Sequence, residues 1–176
     1  MATIQSSADI MSVLQDIVQR SHHGEADGQD EWTAIGFRVA NNYFLVPIDQ
    51  ANEVFPLPTQ ITPVPKAKPW VFGISNLRGS LLPLFDLKLF LFDQATQLNN
   101  RSRIMVINHQ GLFSGLLIDE VFGLRHLDQK PQQHDDLMDT PVAPYIEGSI
   151  SQDDINWHVF SFNSLATDQR FLDSAA

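Results

Sequence analysis

The chain of 176 residues contains no cysteine. Disulfides, thiolate metal sites and cysteine nucleophiles are excluded together by that absence. Basic residues are scarce, 11 Lys and Arg against 21 Asp and Glu, for a formal net charge of −10. Phosphate binding needs clustered cations, so neither nucleic acid nor an anionic membrane surface is an expected ligand. Long apolar runs are also missing. No stretch approaches the ~18 residues that a membrane span requires, so no direct membrane insertion is expected. No Lys or Arg precedes Arg20 and no apolar signal core follows, so a secretory leader is not expected and the sequence reads as that of a soluble cytoplasmic protein. Catalytic signatures are lacking too: there is no HExxH, P-loop, GxGxxG or Gly-x-Ser-x-Gly element. His22, His23, His109, His126, His134 and His158 show no paired zinc spacing. No cofactor and no metal are expected.

What is present is apolar material for a core. Apolar residues make up 43%, including 12 Phe and 3 Trp, enough for one domain or two small subdomains sharing a core. Ile10, Val13, Leu14, Ile17 and Val18 form one helical stripe within Ser6 to Gln19, which predicts an N-terminal amphipathic helix in a 1–24 extension. A polar, acidic stretch then reads as a linker over 25–33. Beyond it the period changes to two. Ile35, Phe37 and Val39 alternate with polar or small residues, and Asn41-Asn42 is the expected turn into a strand carrying Phe44, Val46 and Ile48. Pro56, Pro58, Pro63, Pro65 and Pro69 leave room only for short edge strands and a crossing segment. Further strand pairs are expected over 104–107 with 113–118 and over 145–150 with 157–162, and a short helix near 164–172. Nine or ten short strands at this spacing indicate an all-β barrel or sandwich architecture over 34–176.

The segment from Gly73 to Leu87 is the most distinctive. An apolar strand runs into Asn76-Leu77-Arg78-Gly79, and a second apolar strand runs away. Such a hairpin displays one arginine at its tip in an acidic protein. Arginine on a rigid tip suits a protein interface, and the adjacent glycine supplies positive φ or close backbone approach.

These residues resemble the CheW-like family of chemotaxis adaptors. Gly73, Asn76, Leu77, Arg78, Gly79, Pro83, Asp86 and Leu87 match its Gly-x-x-Asn-Leu-Arg-Gly signature and the apolar-Pro-apolar-apolar-Asp-Leu that follows. Glu53-Val54, the Gly115 to Val121 strand and Tyr145-Ile146-Glu147-Gly148 fit further family motifs in order. The N-terminal helix, Trp32 to Arg38 and Lys68 to Gly73 are similar to the type IV pilus branch of twitching motility. The resemblance implies a mainly β fold of two five-stranded SH3-like barrels sharing an apolar core. It implies a non-enzymatic adaptor between the cytoplasmic tip of a chemoreceptor and the regulatory domain of a histidine kinase, recruited to membrane receptor arrays. The residues it marks for protein interaction are Arg78, Gly79, Glu53, Asn76, Ala51 and Val54, with Glu53 expected to pair with Arg78.

Two other readings compete. A generic β-barrel module would bind peptides along exposed strand edges. A small hydrolase would need Asp86, Asp119 and a histidine such as His126 to converge. Against the hydrolase, Asp86 and Asp119 fall at strand ends, where carboxylates satisfy turn amides. Adjacent Asp119 and Glu120 would point to opposite faces of a strand. Ile74 and Val121 read as core.

Overall fold

A computed structural model describes residues 31–109, 112–133 and 137–175. The expected N-terminal helix lies outside the described residues. Among the described residues ten strands form two five-stranded sheets. They are β1 (Trp32–Val39), β2 (Asn42–Pro47), β3 (Glu53–Pro56), β4 (Val71–Leu77), β5 (Ser80–Asp86), β6 (Arg103–His109), β7 (Leu112–Ile118), β8 (Glu120–Leu127), β9 (Ile146–Gln152) and β10 (Ile155–Phe160). Among the described residues α1 (Leu87–Phe92) follows β5, α2 (Phe162–Ala166) follows β10 and α3 (Gln169–Ala175) follows α2.

The first sheet has the order β8-β1-β2-β10-β9 and the second β3-β6-β7-β5-β4. The two orders superpose strand for strand. Each has a central antiparallel hairpin (β1–β2, β6–β7) and one parallel pair (β10 with β2, β5 with β7). Each also ends in an antiparallel hairpin (β9–β10, β4–β5). The second sheet is continuous in sequence. The chain begins the first sheet, builds the second, and returns at Asp119 to complete the first.

The core is built in three parts because several strands bury both faces. Ile35, Phe37 and Val39 of β1, Phe44 and Val46 of β2, and Met105 and Ile107 of β6 all point into one large cluster between the sheets. The alternate residues go elsewhere. Ala34, Leu45 and Trp157 fill a cluster of the first sheet, and Leu82, Leu84, Ile104 and Val106 fill one of the second. Runs such as Phe44-Leu45-Val46 and Ile104 to Ile107 are apolar without alternation for this reason.

The sheets are not closed into barrels by hydrogen bonds, which corrects the expectation of two barrels. Among the described residues no ladder joins β8 to β9 or β3 to β4. Single crossing segments lie over the open seams instead. Thr62 bridges to Ile74 and Gln132 bridges to Ser149. Prolines dominate the segment after β3 and remove the donors that a full strand would need. Glycines admit both crossings. A Cβ on Gly73 (φ 152°) would lie 2.5 Å from Ile61 Cγ2 and 2.8 Å from the Thr62 carbonyl oxygen, and one on Gly148 (φ 157°) 2.7 Å from Pro131 Cβ.

Other details differ from the sequence expectation. The first turn is at Ala40-Asn41, with Val39 opposite Asn42, and the left-handed residue is Ala40 (φ 55°), not an asparagine. Asp119 accepts the Ala40 N–H at 2.7 Å and Arg38 Nη1 donates to the Ala40 carbonyl at 2.7 Å, so both backbone groups of Ala40 are gripped. Ala40→Gly is therefore expected to raise stability by about 1 kcal/mol, since an L side chain carries that strain and glycine does not. Chemical denaturation checks it. The C-terminal tail forms two helices, α2 and α3, and the run Leu87 to Phe92 folds as α1 because the Asp86 carboxylate caps it, accepting from Leu89 N at 3.2 Å.

Candidate protein-docking site

In the β4–β5 hairpin Leu77 pairs with Ser80, leaving Arg78 and Gly79 as a two-residue loop. Both have positive φ, 52° and 84°, as the mirror-image turns that match strand twist require. Nothing lies within 4 Å of a Cβ on Gly79, so this glycine serves its dihedral and not a close approach. Asn76 Oδ1 accepts the Gly79 N–H at 2.9 Å and braces the loop from its own strand.

Arg78 is held in place from across the sheet. Its Nη2 donates to Glu53 Oε1 at 2.7 Å. Glu53 lies on β3 and Arg78 on the β4–β5 loop, and β3 and β4 are opposite edges of the second sheet. The pair therefore clasps the open seam at one end. Its partners are unequal: the Glu53 side chain is 9% exposed and that of Arg78 is 63% exposed. A desolvated carboxylate is costly without a cation, so Glu53 fixes the arginine while the guanidinium stays displayed. Asn76 and Gly79 are exposed beside it, and Leu81 is 70% exposed on the departing strand. Ala51 and Val54 have a different place. Their side chains are buried in the shared core, where they seat β3 under Glu53.

The first sheet carries a counterpart of opposite charge at the equivalent end. The β9–β10 turn is Asp153-Asp154, with φ of 56° and 63°. Arg125 on edge strand β8 reaches Asp153 Oδ2 and Gln152 Oε1 at 3.3 and 3.4 Å. An arginine–carboxylate pair thus clasps this seam too, with the acid now on the tip and the base on the edge strand. Arg125 also lies 4.5 Å above the buried Trp157 ring, a contact that favours a planar cation. Tyr43 stacks on Phe122 at 5.7 Å, and both rings meet Trp157 edge-on, so aromatic surface lies behind the acidic tip. The sequence pattern assigns this turn, between the apolar segments 145–150 and 157–162, no role. The signal was the repetition of a two-residue tip between apolar strands, visible only once strand pairing is known.

The residues of the competing hydrolase reading are occupied with structure. Asp86 caps α1 and also accepts from Thr96 N at 2.9 Å and Thr96 Oγ1 at 2.6 Å. Asp119 grips Ala40, Glu120 pairs with Arg38 at 3.4 Å and Arg101 at 3.9 Å, and His126 Nδ1 meets the Thr33 hydroxyl at 3.3 Å. Among the described residues no group of three His, Cys, Asp or Glu side chains is placed to hold a metal ion, and no helix is long and apolar enough to cross a membrane.

One titration is strongly displaced. Burial, reinforced by a hydrogen bond to Asp168 Oδ2 at 2.5 Å, holds the Tyr145 hydroxyl well above the usual tyrosine range. The folded state thus keeps the proton that the unfolded chain loses near pH 10. The stabilisation is complete below about pH 10 and declines as pH rises past it. Thermal melts from pH 8 to 11 should show this decline, and Tyr145→Phe should flatten it.

Comparison with known proteins gives a consistent picture. The CheW-like domain family matches residues 33–170. The chain is 36% identical to Protein PilI of Pseudomonas aeruginosa, over 93% of this chain and 94% of that one. It is 33% identical to a chemotaxis protein CheW of Rhizobium meliloti, over 67% and 73% of the two chains. The fold is also that of the scaffolding protein TtCheW from Thermoanaerobacter tengcongensis, with a TM-score of 0.67, 23% identity, and coverage of 78% of this chain and 94% of the other.

Proposed function

The chain belongs to the CheW-like domain family, and from that premise we propose that it is a cytoplasmic, non-enzymatic adaptor coupling a chemoreceptor to a histidine kinase. The pathway is one that controls type IV pilus twitching, a reading supported by the near full-length similarity to PilI. Its work is differential binding: it contacts the receptor tip and the kinase regulatory domain together, and a change in one contact alters the other.

The observation that carries this reading is the Arg78-Gly79 tip, a displayed guanidinium anchored on a buried carboxylate. The arginine is ordered before any partner arrives, so little conformational entropy is lost on docking. A basic tip with exposed Leu81 on one sheet and an acidic tip backed by aromatics on the other also suit head-to-tail contacts between the two sheets of neighbouring copies or relatives. Individual contacts of this kind are modest, and repetition in an array adds strength.

The test is reconstitution. Purified chain is mixed with the signalling tip of a pilus-pathway chemoreceptor and the regulatory domain of its histidine kinase, and the mixture is resolved by size. A ternary complex that weakens with added salt is expected. A chain that migrates alone in the presence of both overturns the proposal.

A further inference from the structure

The β4–β5 and β9–β10 hairpins are closed at their roots by the same device. Trp70 and Tyr145 each stand three residues before the glycine at a crossing. The Trp70 carbonyl accepts from Asp86 N at 2.8 Å, and the Tyr145 carbonyl accepts from Ser161 N at 2.8 Å. Asp86 and Ser161 are in turn the caps of α1 and α2.

Helix α3 touches both roots. The Arg170 guanidinium lies 4.6 Å from the Trp70 ring and 4.4 Å from the Phe90 ring. Asp168, just ahead of the helix, accepts the Tyr145 hydroxyl on Oδ2 and the Arg170 N–H on Oδ1 at 2.8 Å. Between these contacts Phe171 is fully buried, 4.7 Å from Phe85 and 5.7 Å from Phe90. One carboxylate therefore orients both the tyrosine of one hairpin and the backbone of the residue that clamps the tryptophan of the other.

We propose that α3 is a brace coupling the two hairpins, with Asp168 and Arg170 as positioning residues that set the pose of the Arg78 tip from its root. The proposal rests on the reading of that tip as a docking element. Its structural half stands apart from any partner. The hairpins carry tips of opposite charge, so the brace gives a route by which engagement at one tip changes the pose offered at the other. Coupling of this kind is reciprocal. The arginine suits the task because its planar, delocalised cation lies over both the Trp70 and Phe90 rings, which meet edge to face at 5.3 Å, a contact that a compact ammonium group does not reproduce.

Hydrogen exchange on the full chain tests it. Tyr145→Phe keeps the ring and removes the hydroxyl. The Ser161 amide at its own root is expected to exchange faster, and so is the Asp86 amide at the other root, by about five-fold, the effect of one typical hydrogen bond. Arg170→Lys should accelerate the Ser161 amide in return. If each variant alters only its own root, the brace is overturned; if one variant fails to fold, the other decides. Binding of the kinase regulatory domain adds a second readout. Tyr145→Phe lies away from the tip, yet it is expected to weaken binding about five-fold, within the usual range of coupling between sites. A wild-type chain that binds no kinase domain would sink the docking reading while leaving the exchange result standing.

Discussion

Arg78→Glu is expected to weaken association with the kinase regulatory domain by about 100-fold, and the double change Glu53→Arg with Arg78→Glu to recover only part of that loss. Two effects separate in this experiment. The single variant sets two carboxylates against each other across the seam, with Glu53 nearly buried. The clasp is lost and the tip loses its anchor. The double change restores an ion pair of reversed sense, so the hairpin is ordered again and the thermal stability of the single variant should be regained. It now displays an acid in place of the base that the proposed docking tip offers. An interfacial arginine contributes about 2 kcal/mol or more, so a substantial binding deficit remains after repacking. Full recovery of binding by the double change would mean that Arg78 only holds the hairpin in shape. No recovery of stability would mean that the pair does not order the hairpin at all. Measuring both quantities on the three proteins assigns the arginine its share of each role.

Gly73→Val is expected to damage the fold severely, costing about 3 kcal/mol or more. The added Cβ would meet the Thr62 carbonyl oxygen at 2.8 Å, which is backbone and has no rotamer to adopt, and Ile61 Cγ2 at 2.5 Å. The crossing segment must lift away from β4, breaking the two hydrogen bonds that join Thr62 and Ile74 at 2.9 and 2.8 Å. The seam of the second sheet would then stay open beside the Arg78 hairpin. A fall in melting temperature of about 10 °C is the expected reading for a domain of this size. Gly79→Ala is the control. It has open space around it, so only the positive φ is strained, and the cost should stay near about 1 kcal/mol. Equal losses at the two positions would show that the crossing segment contributes little.

The parts of this fold that were legible in the sequence are those with local causes. Alternation marked Ile35, Phe37 and Val39 as one face of β1, and they do share one core cluster. The Arg78-Gly79 turn follows from glycine at a tip between apolar strands. Asp86 and Asp119 were expected to satisfy amides near strand ends, and they do so at Leu89, Thr96 and Ala40. The expected ion pair of Glu53 with Arg78 is formed. What was not legible depends on distant partners. Apart from Asp86 and Lys88 the run from Leu81 to Phe92 is apolar, so no clear period separates β5 from α1; the Asp86 cap divides them. The Ala40 turn displaced the expected asparagine turn because Arg38 and Asp119, 79 residues away from Ala40, grip its backbone. The Arg125–Asp153 clasp joins residues 28 apart across a seam. Its meaning comes only from the equivalence of the two sheets, one of which is circularly permuted in chain order. Open seams in place of closed barrels likewise reflect where donors are missing, a property of paired edges and not of single strands.

The most direct test of the adaptor reading is a titration of the kinase regulatory domain with wild type and with Arg78→Ala, each first shown to be folded by its melting curve. A loss of affinity of at least about tenfold is expected for the alanine variant. Equal affinities for the two folded proteins would contradict it.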